Sequence, residues 1–285
     1  MKRESGARGG QSAGGAILSS TTENHALGET MLTLTYLRRA MSAEALKLKR
    51  TLAVWMVLIA PLVVVGLNFV MLLDRGENFM SQADSAWQAL TQNVLLFWAL
   101  MMLPLFVTLE TALLGSVDHG SQQWKHLYAL PLPRWAIYAA KSISALILIG
   151  ASTLVLWGET IVAGLLLGAL KPQLAIGWPI PAWSILQPML LTYLIAWCMI
   201  AVHQFVALRW QSFTFAIGFG IATTVINFMI IQSDKWNKFF PWSWPAYAFF
   251  EEGLDFRLTA LVLGMAGGVI VGLIGMWLVS RREVV

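Results

Sequence analysis

The sequence predicts an all-α membrane protein: six transmembrane helices and an N-terminal amphipathic helix lying at the membrane surface. Three observations carry that prediction. Of the 285 residues, 58% are hydrophobic and 12% are charged, about half the charged fraction of an average soluble domain. The apolar residues fall into runs long enough to cross roughly 30 Å of hydrocarbon as helices. The remaining charge is sorted by side. A disordered chain and an ordinary soluble enzyme are thereby excluded, and the single Cys excludes a disulfide-stapled module. The runs do not alternate apolar with polar, as the strands of a membrane barrel would.

In chain order the six runs are Thr51–Leu73, Val94–Val117, Ser142–Leu170, Ile185–Leu208, Phe213–Ile231 and Leu258–Val279. Only Arg209 to Ser212 separates the fourth from the fifth. One long bent helix is conceivable there, but Arg209 is costly at mid-membrane and cheap at an interface, which favours a tight turn.

Lys and Arg set the orientation. With six spans both ends lie on one side, and that side holds fourteen basic residues. They include Arg38, Arg39, Lys47, Lys49 and Arg50 before the first span, Lys125, Arg134 and Lys141 in the second loop, Arg209, Arg281 and Arg282. The opposite side has five: Arg75, Lys171, Lys235, Lys238 and Arg257. Both termini are therefore expected in the cytoplasm. The net charge of +4 is a topology signal and points to no nucleic acid.

Residues 1–30 are rich in Gly, Ser, Thr and Ala and lack the apolar core of a secretory signal. A disordered tail is expected, with Met31 an alternative start. From Leu32 to Arg50, Leu34, Leu37, Met41, Ala45 and Leu48 recur at helical spacing among basic residues. This reads as a basic helix in the cytoplasmic interface; an ordinary basic flank is the plainer reading. Between the last two spans, Ser233–Phe256 is crowded with aromatics and broken by Pro241 and Pro245. Such a stretch should sit at headgroup level or dip back into protein.

Much familiar chemistry is missing. Gly115–Gly120 has phosphate-loop glycine spacing, but Ser121 and Gln122 follow where Lys and Ser/Thr are needed. The chain binds no ATP by that route. The four histidines have no metal-ligand spacing, no Ser sits in a nucleophile elbow, and Cys198 is alone. No metal or cofactor is expected on this chain. Two acids lie within apolar runs, Glu110 and Glu159. Each could line a substrate path or carry a proton, or simply hydrogen-bond a neighbouring helix. Gly264, Gly268 and Gly272 form overlapping G-x-x-x-G steps, and Gly164 and Gly168 another; these suit tight helix packing.

The most informative stretch is the second cytoplasmic segment, Asp118 to Lys141. Ser121 can cap a short helix that Pro131 ends, with Trp124, Leu127 and Tyr128 on one face. With basic flanks this is a peg for a protein groove; a helix resting on headgroups is the other reading. An acid (Asp118), Trp124-Lys125-His126-Leu127, Leu130-Pro131 and Leu132-Pro133, Arg134 and then Lys141 at the next span together resemble the permease subunits of type 2 ABC exporters. The branch most resembled is that of lantibiotic immunity and bacitracin resistance. Asp118 stands where Glu is more usual, and residues 1–30 have no counterpart.

The resemblance implies the type 2 exporter permease fold over residues 31–285 and a half-transporter. Two permease chains, identical or sister, would form the pathway in the bilayer. Two separate ATP-binding cassette subunits, carrying the ATP and Mg, would dock beneath. Carried over, Trp124, Lys125, His126, Leu127 and Tyr128 would form the peg, flanked by Glu44, Lys47 and Arg134. The cargo would be an antimicrobial peptide, lipid or drug. Two other classes stay open: a proton-coupled secondary transporter using Glu110 or Glu159, and a non-transporting membrane enzyme or scaffold.

Overall fold

A computed structural model describes residues 31–281 except 50, 81–84, 120–132, 211, 234, 251, 252 and 254. The described secondary structure is helical throughout. Helix α1 covers residues 31–48. The first span is α2, Leu52–Met80. The second combines α3, Ala86–Phe97, a π-helical turn at Trp98–Met102, and α4, Leu103–His119. The third is α5, Arg134–Leu170. The fourth is a pair bent by 45°, α6 (Ala182–Ile195) and α7 (Trp197–Arg209). The fifth is α8, Phe213–Ile230. A one-turn helix α9, Trp244–Tyr247, precedes the last span, α10, Arg257–Ser280. Among the described residues five helices are long and apolar enough to cross a membrane, and the bent pair makes a sixth if it crosses as one span.

The second span differs from its sequence expectation. It begins at Ala86, not Val94, and α2 runs on to Met80, not Leu73, so the gap between the two runs shrinks. The first turns of α3 are amphipathic: Trp87 and Leu90 are buried while Gln88 and Gln92 are exposed. A window searching for continuous hydrophobicity passes over such a start. Ser85 begins it cleanly, its side chain accepting from the Gln88 amide at 3.2 Å. The break expected after the fourth run is present, since α7 ends at Arg209 and α8 starts at Phe213.

The π turn has a local cause. Pro104 has no N–H to give the carbonyl of Leu100 and its ring crowds that carbonyl, so the helix widens there. Asn227 of α8 fills the gap, donating to the Leu100 carbonyl at 3.3 Å. In hydrocarbon an unmatched carbonyl is costly, so this bond ties the second span to the fifth.

The aromatic segment before α10 does dip into protein. Trp242, Trp244, Ala246, Tyr247 and Ala248 are all buried. Trp242 Nε1 donates to His203 Nε2 at 2.9 Å, deep in the fourth span. Cations at span ends stack on neighbouring rings: Arg209 on Trp210 at 5.5 Å and Arg281 on Trp277 at 4.1 Å at one end, Lys235 on Trp236 at 5.2 Å and Arg257 on Phe249 at 5.0 Å at the other. An interfacial belt is built this way.

Candidate functional site

Glu44, Lys47 and Arg134, three of the residues expected to meet a partner, lie at the α1 end of the bundle. α5 has 37 residues and is therefore about 55 Å long, well beyond the hydrocarbon. Its first two turns form a platform, on which α1 packs. Ala40 sits against Ala136 and Ala140, with Tyr36, Met41 and Trp135 around them. Small residues on both sides permit the close approach.

That contact changes the reading of α1. The side turned to the protein is Ala40, Glu44 and Leu48, all buried, whereas Leu34 of the expected apolar stripe is 59% exposed. Leu32 and Leu46 are exposed as well. Lys141 changes too: it is no loop charge, but lies inside α5 at 1% exposure. Its ammonium donates to Glu44 Oε2 at 2.9 Å and to the Leu114 carbonyl of α4 at 3.0 Å. Lys47 donates to the other Glu44 oxygen at 3.0 Å. Glu44 therefore turns inward. Charge-assisted bonds of this kind are among the stronger ones a chain can make. The Leu114 carbonyl lies towards the C-terminal, negative end of α4, which also favours a cation.

One lysine thus fastens α1, α4 and α5 at a point just inside the segment that joins α4 to α5. The peg residues Trp124, Lys125, His126, Leu127 and Tyr128 lie outside the described residues, while Arg134 opens α5 on the platform.

Residues 40–227 match the family described as ABC-2 family transporter protein. The match takes in the α1 contact, both flanking helices and the segment between them. The chain belongs to the ABC-2 transporter family. It is a multi-pass membrane permease of an ABC transporter, and its helical architecture is consistent with that family's permease fold. No curated protein and no solved structure gives a significant match.

Within the spans of the permease, Glu110 is fully buried, and neither carboxylate oxygen has a hydrogen-bond partner. Glu159 has one buried oxygen without a partner. Glu159 is only partly buried. Of the glycines in α10, Gly264 lies against the backbone of Ile195 and Gly268 against Trp197, on either side of the bend between α6 and α7. Gly272 is different: a Cβ there would meet nothing within 4 Å. Gly164 makes room for the Trp87 ring and Gly168 for the Ile176 backbone. Among the described residues no group of three or more potential metal ligands occurs.

Sequence reasoning missed the Trp242–His203 bond and the Asn227–Leu100 bond. A signal existed for the second: a proline inside an apolar run frees one carbonyl four residues back, and Asn227 is a lone amide in a neighbouring span. For the first there was none, because nothing in the sequence sets how far the aromatic segment descends.

Proposed function

We propose that this permease is the membrane half of an ATP-driven exporter and that a separate ATP-hydrolysing subunit docks on the segment from Asp118 to Lys141. Membership of the family over residues 40–227 is the observation that carries the reading. Two copies of the permease, or one with a sister chain, form the pathway, and two ATPase subunits bind at the cytoplasmic side with both permease termini. Trp124, Lys125, His126, Leu127 and Tyr128 form the peg. Arg134 and Lys47 flank it, and Glu44 positions α1 beside it through Lys141. Closure of the ATPase pair on ATP pushes the peg, and the Lys141 junction passes the motion to three helices together. The cargo is an amphipathic antimicrobial peptide taken from the membrane, in keeping with the lantibiotic-immunity and bacitracin-resistance pattern of the segment.

The test is co-purification of the tagged permease with the ATPase encoded beside it, followed by ATP hydrolysis in liposomes. Trp124→Ala combined with Tyr128→Ala is expected to abolish both. Undiminished assembly and hydrolysis in that double variant would sink the docking assignment. Sensitivity of a deletion strain to a panel of peptide antibiotics, lipids and drugs tests the cargo.

A further inference from the structure

In the half of the bundle nearer α1, the helices α5, α7 and α10 enclose a groove of about 220 Å³. That exceeds the roughly 150 Å³ of an apolar cavity that accepts benzene. Its lining runs from Tyr138 to Leu146 on α5 and from Met276 back to Gly268 on α10. Each wall is therefore about 12 Å long and follows the helix axes, as a lipid chain does. Gly272 supplies part of the space, since a Cβ there would meet nothing within 4 Å. Val269 and Leu273 line the groove and are 52% and 55% exposed, so it opens sideways to the bilayer.

One lining residue does not suit a hydrocarbon setting. Gln204 of α7 is 1% exposed, and neither its amide nitrogen nor its amide oxygen has a hydrogen-bond partner among the described residues. Buried threonines of the neighbouring spans show the ordinary solution: Thr108, Thr111 and Thr224 each donate to a carbonyl of their own helix. Gln204 keeps two donor hydrogens and an acceptor oxygen at a depth where unmatched polar groups are costly. It lies five residues before Arg209, about 7 to 8 Å along the helix from the interface that Arg209 marks. A charged head carried to that depth would be stripped of its hydration, so the site selects a neutral one. The amide selects a head that both donates and accepts.

We propose that this groove binds an uncharged acylglycerol. Its free hydroxyl donates to Gln204 Oε1, its ester carbonyl accepts from Nε2, and its chain lies along Leu146 and Val269 towards the bend between α6 and α7. Such a head carries a hydroxyl and a carbonyl a few bonds apart, so one molecule satisfies both ends of the amide. A plain ester leaves Oε1 without a donor, and a hydrocarbon leaves both atoms unmatched. A glycerophospholipid would bring its phosphate charge below the interface to place a headgroup hydroxyl there. The proposal is independent of the ATPase reading, since it concerns the permease alone.

The experiment is lipid retention by the purified full chain in detergent, read by native mass spectrometry, which also reports the oligomeric state. The probes are monooleoylglycerol, methyl oleate, which has the carbonyl without a hydroxyl, and octadecene, which has neither. Monooleoylglycerol should be retained about tenfold better than methyl oleate, as one further buried hydrogen bond allows, and octadecene least of the three. Gln204→Leu replaces the orphaned amide with an apolar group of similar size. It should melt no lower than the parent, which separates a binding loss from a folding defect, and should retain the three probes alike. Gly272→Leu fills the groove with the amide in place and should lower retention of all three. Equal retention of monooleoylglycerol and methyl oleate by the parent, or a preference that survives Gln204→Leu, overturns the proposal. Parent-like retention by Gly272→Leu overturns it as well. A dimer that holds no lipid and that Gly272→Leu dissociates makes the groove a contact between copies and overturns the lipid assignment.

Discussion

Lys141 and Glu44, 97 positions apart in the chain, meet at 2.9 Å with side-chain exposures of 1% and 4%. A pair this buried is a poor source of net stability, because desolvating two charges offsets most of their attraction. What it does supply is orientation. An apolar contact would tolerate rotation of α1 about its axis, and the apolar stripe at Leu34 and Ala45 would compete for the inner position. The ion pair holds the Ala40–Glu44–Leu48 side against α5.

Removing one partner should therefore cost far more than replacing both. Lys141→Met leaves the Glu44 carboxylate with Lys47 alone, and Glu44→Leu leaves a buried ammonium. Each is expected to cost about 3 to 5 kcal/mol, whereas the double variant recovers most of the loss. Thermal unfolding of the four proteins in one detergent gives the cycle. Single costs that simply add would show that the two side chains do not act as a pair.

The glycines of α10 make a second contrast. A Cβ on Gly264 would come within 2.8 Å of the Ile195 backbone, and one on Gly268 within 2.8 Å of the Trp197 backbone. Backbone cannot move aside as a flexible side chain can, so Gly264→Ala and Gly268→Ala should each cost about 1 to 3 kcal/mol. Gly272 borders an apolar groove of about 220 Å³ between α5, α7 and α10. Gly272→Ala should be neutral, or stabilising by up to about 1 kcal/mol through helix propensity. Melting temperatures of the three variants check the order, and equal losses at all three sites would remove the distinction.

Much of this architecture was legible because lipid as a solvent writes its demands directly into composition. The spans, the turn after Arg209 and the aromatic segment all follow from hydrophobic runs, charge sorting and proline placement. The start of α3 was hidden because amphipathic turns interrupt the run. Lys141 read as a loop charge because its partner lies in a different helix, and pairing across 97 positions leaves no local pattern. The same holds for the cleft at the end of the bundle opposite α1. Gln88, Gln187 and Arg257 are unremarkable singly, and only the convergence of three helix starts makes them neighbours.

His203 and Trp242 set how deeply the aromatic segment is anchored. Indole N–H only donates, so His203 Nε2 accepts and the ring proton sits on Nδ1, facing Thr108 Oγ1 at 3.5 Å. Phe219 packs edge-on against both rings, at 5.4 Å and 6.0 Å. Trp242→Phe keeps most of the packing and removes the donor, which should cost about 1 to 3 kcal/mol for the orphaned nitrogen. His203→Leu together with Trp242→Phe should restore part of it. Hydrogen exchange over residues 237–250 is the sharper readout: faster exchange in Trp242→Phe is expected, and unchanged exchange would mean the segment is held by packing alone.

Glu110 separates the two ways of driving transport. Its carboxylate is fully buried without a hydrogen-bond partner, and an isolated buried carboxylate is expensive when ionised. Glu110→Gln keeps the shape and removes the charge, so its effect on stability should stay within about 1 kcal/mol. If ATP drives the permease, transport by the reconstituted complex should survive Glu110→Gln and collapse of the proton gradient, and should stop when ATP hydrolysis is blocked. If instead Glu110 carries the driving proton, the Gln variant would be stable yet inert, and transport in the parent protein would follow the gradient without any ATPase. Stability and transport must be measured on the same preparation. A buried acid that is only a packing residue and one that is a proton carrier behave alike in unfolding, and they part only when the gradient is removed.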